Sequence, residues 1–269
     1  MLINRKEKIA IIIPAVNCLE YSKKTIASIK TEHDYEIIFI NNGSTDGTLE
    51  WLQTQKTIIT YNNPIVNGLA EIWNMGIKRA IRDGCSLFLI LNNDIILAPT
   101  TIDNLVRKFR SGNYVLVTGV NHHEGMEPPE KMMETSFPYD ENELDREHPD
   151  FSCFMIDQNT IDKIGFFDEN YRIAYFEDSD YHARIALAGE KAISTTSAAY
   201  YHHASKTVQE NEHLKNIVHQ AFEYNKNYFI KKWGHENVGD VPEMLKVYFK
   251  TPFNNPNKTI KNIEFEFSL

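Results

Sequence analysis

Apolar residues fall along this chain in two alternating spacings. Short runs without polar alternation, at Ile9–Pro14, Glu36–Ile40, Thr57–Tyr61 and Leu87–Leu91, read as β-strands. The last, "LFLIL", suits a central parallel strand buried on both faces. Between them lie segments read as helices, Leu19–Lys30 and Thr48–Thr54, and then the clearest helix of the chain. From Gly68 to Asp83, apolar residues recur at Leu69, Ile72, Trp73, Ile77, Ala80 and Ile81, the stripe of a helix packed on one face. Asn67 is the expected N-cap and Gly84 the expected C′ residue. The pattern continues with a helix at Thr101–Arg110 and a strand at Tyr114–Gly119. It resumes with a strand at Phe151–Ile156, a short helix at Thr160–Gly165, a helix at Ser179–Ala188, a strand at Ala192–Tyr201 and a long helix beyond Ser205.

Strands and helices in alternation predict an α/β fold, a mostly parallel, Rossmann-like doubly wound sheet with helices on both faces. Residues 121–150 interrupt it, being polar, proline-bearing and aperiodic. They are expected to form a long mobile loop, a length more often functional than accidental. The expected organisation is one α/β domain over residues 1–205 and a small C-terminal helical extension and tail over 206–269.

Composition narrows the classes. At 269 residues and 42% hydrophobic, the chain can bury one substantial core. A formal charge of −9 argues against a general nucleic-acid-binding surface. No stretch approaches the ~20 apolar residues needed to cross a bilayer, so membrane contact is expected to be peripheral at most. The basic N-terminal residues do not make a signal peptide, because Glu7 interrupts them and Pro14 lies inside the apolar run. Cys18, Cys85 and Cys153 lack paired or metal-type spacing and fit reduced thiols in a cytoplasmic protein.

Candidate chemistry lies where strands end. The first strand ends at Pro14-Ala15, the second runs into "NNGSTDGT" and the fourth into "NND". In a right-handed doubly wound sheet these ends share one edge, the edge where ligands bind. Asn41, Asn42, Gly43 and Ser44 can offer amide and hydroxyl groups to a base or ribose. They also fit a turn in which Ser44 or Asp46 caps the next helix. Neither GxGxxG nor GxxxxGK[ST] occurs. A diphosphate would then be held through a divalent metal, with Asp94 the natural oxygen ligand. Later in the chain, "YFEDSDYHARI" places four ionisable groups at a helix start. By themselves they fit helix capping by Asp178 or Ser179 and an Asp180–Arg184 i, i+4 pair.

Taken in order, "IIIPAVN", "IIFINNGSTDGT", "NPIVNGLAEIWNMGI", "FLILNND", "GFFDENYRIAYFEDSDYHARI" and "YYHHASKT" resemble a family 2 glycosyltransferase of the GT-A type. The similarity is to the branch of bacterial rhamnosyl- and galactosyltransferases of surface polysaccharides, over roughly residues 9–207. The resemblance implies that Pro14, Asn17, Asn42 and Ser44 line a nucleotide pocket, with Asn42 on the base. It adds Asn67, Gly68 and Asn74 to that pocket. "NND" takes the place of the family's DxD motif, with Asn92 near the ribose and Asp94 on Mn²⁺ or Mg²⁺; the first acid of the motif is replaced by asparagine. Asp178 matches the catalytic base, Glu177 stands beside it as an acceptor or positioning group, and His202 matches a metal ligand, with His203 the alternative. His122 and His123 are expected to be solvated. The implied reaction is inverting transfer from a UDP-, dTDP- or GDP-sugar to a hydroxyl acceptor, a glycan in the leading reading. The rivals are a non-catalytic nucleotide-sugar-binding scaffold on the same fold and a sugar-phosphate nucleotidyltransferase. "PAVNCLEYSKK" lacks the glycines the latter would need after its first strand.

Overall fold

A computed structural model describes residues 7–122, 129–141, 151–203 and 212–234. The described elements run β1 (Lys8–Ala15), α1 (Leu19–Ala27), β2 (Asp34–Asn42), α2 (Thr48–Leu52), β3 (Ile58–Asn63), α3 (Leu69–Arg82), β4 (Leu87–Leu91) and β5 (Ile95–Leu97). They continue α4 (Thr101–Ser111), β6 (Tyr114–Asn121), α5 (Pro129–Met132), β7 (Cys153–Asp157), α6 (Gln158–Ile164), α7 (Glu177–Leu187), β8 (Lys191–His202) and α8 (Glu212–Trp233). The expected tail beyond residue 234, the start of the long helix before 212 and His123 lie outside the described residues.

One sheet in the order β3-β2-β1-β4-β7-β6-β8-β5 carries the fold. β1 to β4 pair in parallel, and β7 is antiparallel to both of its neighbours, so β6 and its parallel partner β8 run with β4. β5 returns antiparallel on β8. The sheet is therefore mostly parallel, as the alternation predicts, with two reversed strands that it does not. Strand direction leaves no trace in a fully buried run, since period and composition are the same either way.

Successive residues of a strand face opposite sides, and β1 shows this directly. Ile9, Ile11 and Ile13 enter a core with Leu52 of α2 and Ile102, Leu105 and Phe109 of α4. Ala10 and Ile12 face Ile72, Trp73 and Ile77 of α3, with Ile161 of α6 and Tyr181 of α7. α3 buries the predicted stripe. Its close approach to β1 needs Gly76, because a Cβ there would overlap Ile12 Cγ2. Gly84 at φ 73° closes the helix as expected. The N-cap is Gly68 rather than Asn67, whose amide reaches forward to Glu71 Oε1 at 3.3 Å.

Of the expected mobile loop over residues 121–150, the described residues 121–122 and 129–141 pack on the sheet, and the rest lies outside the described residues. Met132 and Phe137 pack with Ile96, Ala98 and Ala199, and Phe137 exchanges hydrogen bonds with Thr100 Oγ1. His122 is half-buried rather than solvated, and burial lowers its pKa. α8 docks on α7 through Tyr171, Ala183, Phe229 and Trp233. Beneath it, fully buried Asp180 accepts from Arg184 Nε (2.9 Å), Trp233 Nε1 (2.9 Å) and Tyr171 Oη (3.2 Å) and pairs with Lys232 Nζ (2.6 Å). The predicted Asp180–Arg184 pair is thus present, inside the protein rather than on a helix surface. No described helix is long and apolar enough to cross a membrane.

Candidate active site at the carboxyl edge of the sheet

The register aligns Ala15 with Asn41, Asn41 with Asn62 and Asn42 with Asn63. The polar ends of β1, β2 and β3 thereby meet at one edge, and the end of β4 joins them. Asn17 stitches three loops together from a left-handed backbone (φ 59°). Its N–H donates to Ser44 Oγ (2.7 Å), its Oδ1 accepts from the Thr45 N–H (2.7 Å), and its carbonyl accepts from Asn93 Nδ2 (3.2 Å). Asparagine tolerates that backbone at little cost. Asp46 serves both helix starts nearby from the position before the α2 N-cap, Gly47. Its Oδ1 accepts from the Thr48 N–H and its Oδ2 from the Leu19 N–H.

Two of the expected nucleotide-facing asparagines are braces. Asn42, 5% exposed, bonds both the N–H and the carbonyl of Asn67, each at 3.0 Å, and so sets the loop into α3. Asn74 departs from expectation altogether. It is 1% exposed, its Oδ1 accepts from the Phe167 N–H (2.9 Å), and its Nδ2 donates to the Phe167 carbonyl and Glu169 Oε1, both at 2.8 Å. Both amide protons and the carbonyl are engaged within the protein. Pro14 is buried, whereas Ser44, Asn67, Gly68 and Asn92 are half-buried at the edge.

β5 explains how Asp94 meets a histidine 108 residues later in the chain, since Ile95 pairs with His202. His202 Nε2 lies 3.0 Å from Asp94 Oδ1, with the carboxylate 4% exposed. Its Nδ1 lies 3.2 Å from Ser152 Oγ, which fixes the ring, and Asn92 Nδ2 approaches Nε2 at 3.4 Å. His203 turns elsewhere, its ring against Tyr21 and Tyr201. The donor set fits a hard divalent cation. Among the described residues no cluster of three or more His, Cys, Asp or Glu groups surrounds the pair.

The acidic helix start is not capped as the sequence suggests. The N-cap of α7 is Phe176 in a left-handed conformation (φ 73°), with no side-chain cap. Asp178 is half-buried and accepts only from the adjacent Ser179 N–H (2.7 Å). Glu177 is 5% exposed, and its Oε2 has no hydrogen-bond partner among the described residues. Burial, reinforced by the Asp178 charge, pushes its carboxyl well above the usual range. Three neighbouring acids thus differ: Glu177 is buried with its pKa raised, Asp178 is half-buried at the helix start, and Asp180 is locked in an ion cluster. Links run from this helix to the Asp94–His202 pair. The His182 ring packs on Phe151 (5.4 Å), and the neighbouring Ser152 holds His202.

A family model described as glycosyl transferase family 2 matches residues 10–180. The chain belongs to glycosyltransferase family 2. A galactofuranosyl glycosyltransferase from Leishmania donovani is 30% identical over 118 residues, 42% of this chain and 27% of that protein. The fold is similar to the mannosyltransferase PcManGT from Pyrobaculum calidifontis, solved with GDP-Man and Mn²⁺ (TM-score 0.58, 16% identity, 76% of this chain and 59% of that one). It is also similar to GalNAc-T7 solved with UDP, GalNAc and Mn²⁺ (TM-score 0.57, 14% identity, 74% and 44%). The chain therefore spans less than two thirds of each of these relatives. Membership of the family and its GT-A fold agree with the resemblance read from the sequence.

Residues that the sequence did not single out complete the edge. Asn93 is 5% exposed and donates to the Asn17 carbonyl and to Ser22 Oγ. Ser152 orients His202. The polar triplet "NND" gave a signal for Asn93, but only the fold shows that its middle residue turns inward. Nothing marks Ser152 in the sequence.

Proposed function

We propose that the protein is an inverting glycosyltransferase moving a sugar from a nucleoside-diphosphate sugar to a hydroxyl acceptor, with Asp178 as general base. The observation that carries the reading is the Asp94–His202 pair at 3.0 Å on the edge where the ends of β1, β2 and β4 meet. Asp94 and His202 would hold Mn²⁺ or Mg²⁺, which supplies Lewis-acid neutralisation of the charge on the departing diphosphate. The loop ends stitched by Asn17, with Ser44, Asn67 and Gly68, bind and orient the nucleotide. Asp178 takes the proton of the acceptor hydroxyl as its oxygen attacks the anomeric carbon; the bond from that carbon to the diphosphate oxygen breaks and the nucleotide leaves. Burial of Glu177 favours its uncharged form beside the base. The acceptor hydroxyl belongs to a glycan, and the donor is a UDP-, dTDP- or GDP-sugar, in line with the GDP-Man and UDP found in the similar structures.

Two measurements test this. Thermal stability against UDP, dTDP and GDP, each with and without Mn²⁺, should show a selective, metal-dependent rise for one nucleotide, because a ligand of the folded state stabilises by mass action. Asp178→Asn should lower kcat about 10²–10⁴-fold while leaving nucleotide affinity intact. A fully active variant would remove Asp178 from the mechanism, and a lack of response to every nucleotide would favour the scaffold reading.

A further inference from the structure

Residues 171–176, which deliver Asp178 into α7, hold an improbable backbone. Ile173 (φ 54°), Tyr175 (φ 80°) and Phe176 (φ 73°) all occupy the left-handed region that bulky side chains disfavour. Such a conformation persists only where its surroundings over-determine it. On one side the start of α3 does so: the Leu69 N–H donates to the Ile173 carbonyl (2.7 Å), and a Cβ on Gly68 would lie 2.9 Å from the Tyr171 carbonyl. On the other side α8 packs the rings of Phe222, Tyr224, Tyr228 and Phe229 on the segment, and one of its residues bonds the backbone directly. Asn225, fully buried, accepts from the Arg172 N–H (2.8 Å) and donates to the carbonyls of Arg172 (2.8 Å), Ala174 (2.9 Å) and Tyr175 (2.9 Å). Two amide protons thus serve three carbonyls. No side chain but an amide can accept one backbone N–H and donate in this way at the same point.

We infer that Asn225 is the positioning residue for the base: its amide sets the segment that aims Asp178, which makes α8 a working part of the site. The inference rests on the assignment of Asp178 as base. It implies that loosening the clamp lowers turnover more than it weakens donor binding, because Asn17 and Asn42 brace the donor loops and the segment meets them at Gly68 and Leu69.

The test uses the full chain with the nucleotide found by the thermal-shift series. Asn225→Ser and Asn225→Asp remove two or more of the four bonds; aspartate also sets a carboxylate against three carbonyls. Tyr228→Phe serves as control, since it removes a bond to Asp168 from the same helix and keeps the ring that packs on Tyr171. Both Asn225 variants should lose roughly 10–100-fold in kcat, the scale of an ångström-level misplacement, with nucleotide Kd changed less than about two-fold. Hydrogen exchange should accelerate at residues 172–178, and Tyr228→Phe should show neither effect. If Asp178→Asn is inactive but the Asn225 variants keep their kcat within two-fold, the positioning role is overturned and the base assignment stands. If Asp178→Asn retains turnover, both fall. Where one Asn225 variant does not fold, the other decides.

Discussion

Glu177→Gln should make the protein more stable at neutral pH, by an amount that grows with pH. The Glu177 carboxyl is buried, its Oε2 lacks a partner among the described residues, and burial together with the Asp178 charge raises its pKa well above the usual value. In the unfolded chain the same carboxyl ionises at about 4.3. Between that pH and the folded-state pKa, the native protein binds one proton more than the unfolded chain. Stability must then fall as pH rises through this window, by about 1.4 kcal/mol per pH unit from this group alone. Glutamine has nearly the same shape and does not titrate, so it escapes the loss. Within the window the variant therefore gains steadily on the parent as pH rises. Below about pH 4, where both states of the parent are protonated, the difference levels off. Urea unfolding of both proteins at pH 5, 6, 7 and 8, followed by tryptophan fluorescence, reads the effect directly. A difference in unfolding free energy that stays constant from pH 4.5 to 8 would refute the argument, because it would mean that Glu177 ionises as easily in the native protein as in the unfolded chain.

Asp94→Asn should abolish the Mn²⁺-dependent part of the nucleotide-induced rise in Tm while the metal-free rise persists; an undiminished metal response would remove Asp94 as a ligand. Asn74→Ala should cost about 1–3 kcal/mol in urea unfolding, the penalty for leaving the Phe167 backbone groups unsatisfied. Nucleotide affinity should be unchanged in that variant, since every polar atom of Asn74 is engaged inside the protein; a large loss of affinity with normal stability would restore it to the nucleotide pocket.

The contrast between Asn74 and Asn42 shows how far the sequence could be read. Both match a family pattern and stand at the right places in the chain, yet one holds a loop at the edge and the other holds Phe167 beneath α3. An asparagine offers the same donors and acceptor wherever it lies, so only its neighbours decide what it does. The three acids of "EDSD" are separated in the same way. Asp180 is drawn into the interior by Arg184, Lys232, Tyr171 and Trp233, partners that lie on α7 itself, on the segment before it and on a helix some 50 residues later.

What the sequence determined by itself was local. Apolar periodicity of 3.6 or continuous apolar runs reflect the geometry of a single element, so the strands β1 to β4, the helix α3 and the polar loops after β1, β2 and β4 are legible residue by residue. The short β5 escaped because its three residues make no period and form a strand only by pairing with β8. The reversal of β7, the meeting of Asp94 with His202, the burial of Glu177 and the grip of Asn225 on the segment before Asp178 were decided by tertiary structure. Each depends on a pairing between residues far apart in the chain. The free energy of such a pairing is set by burial and by partners that no local window contains.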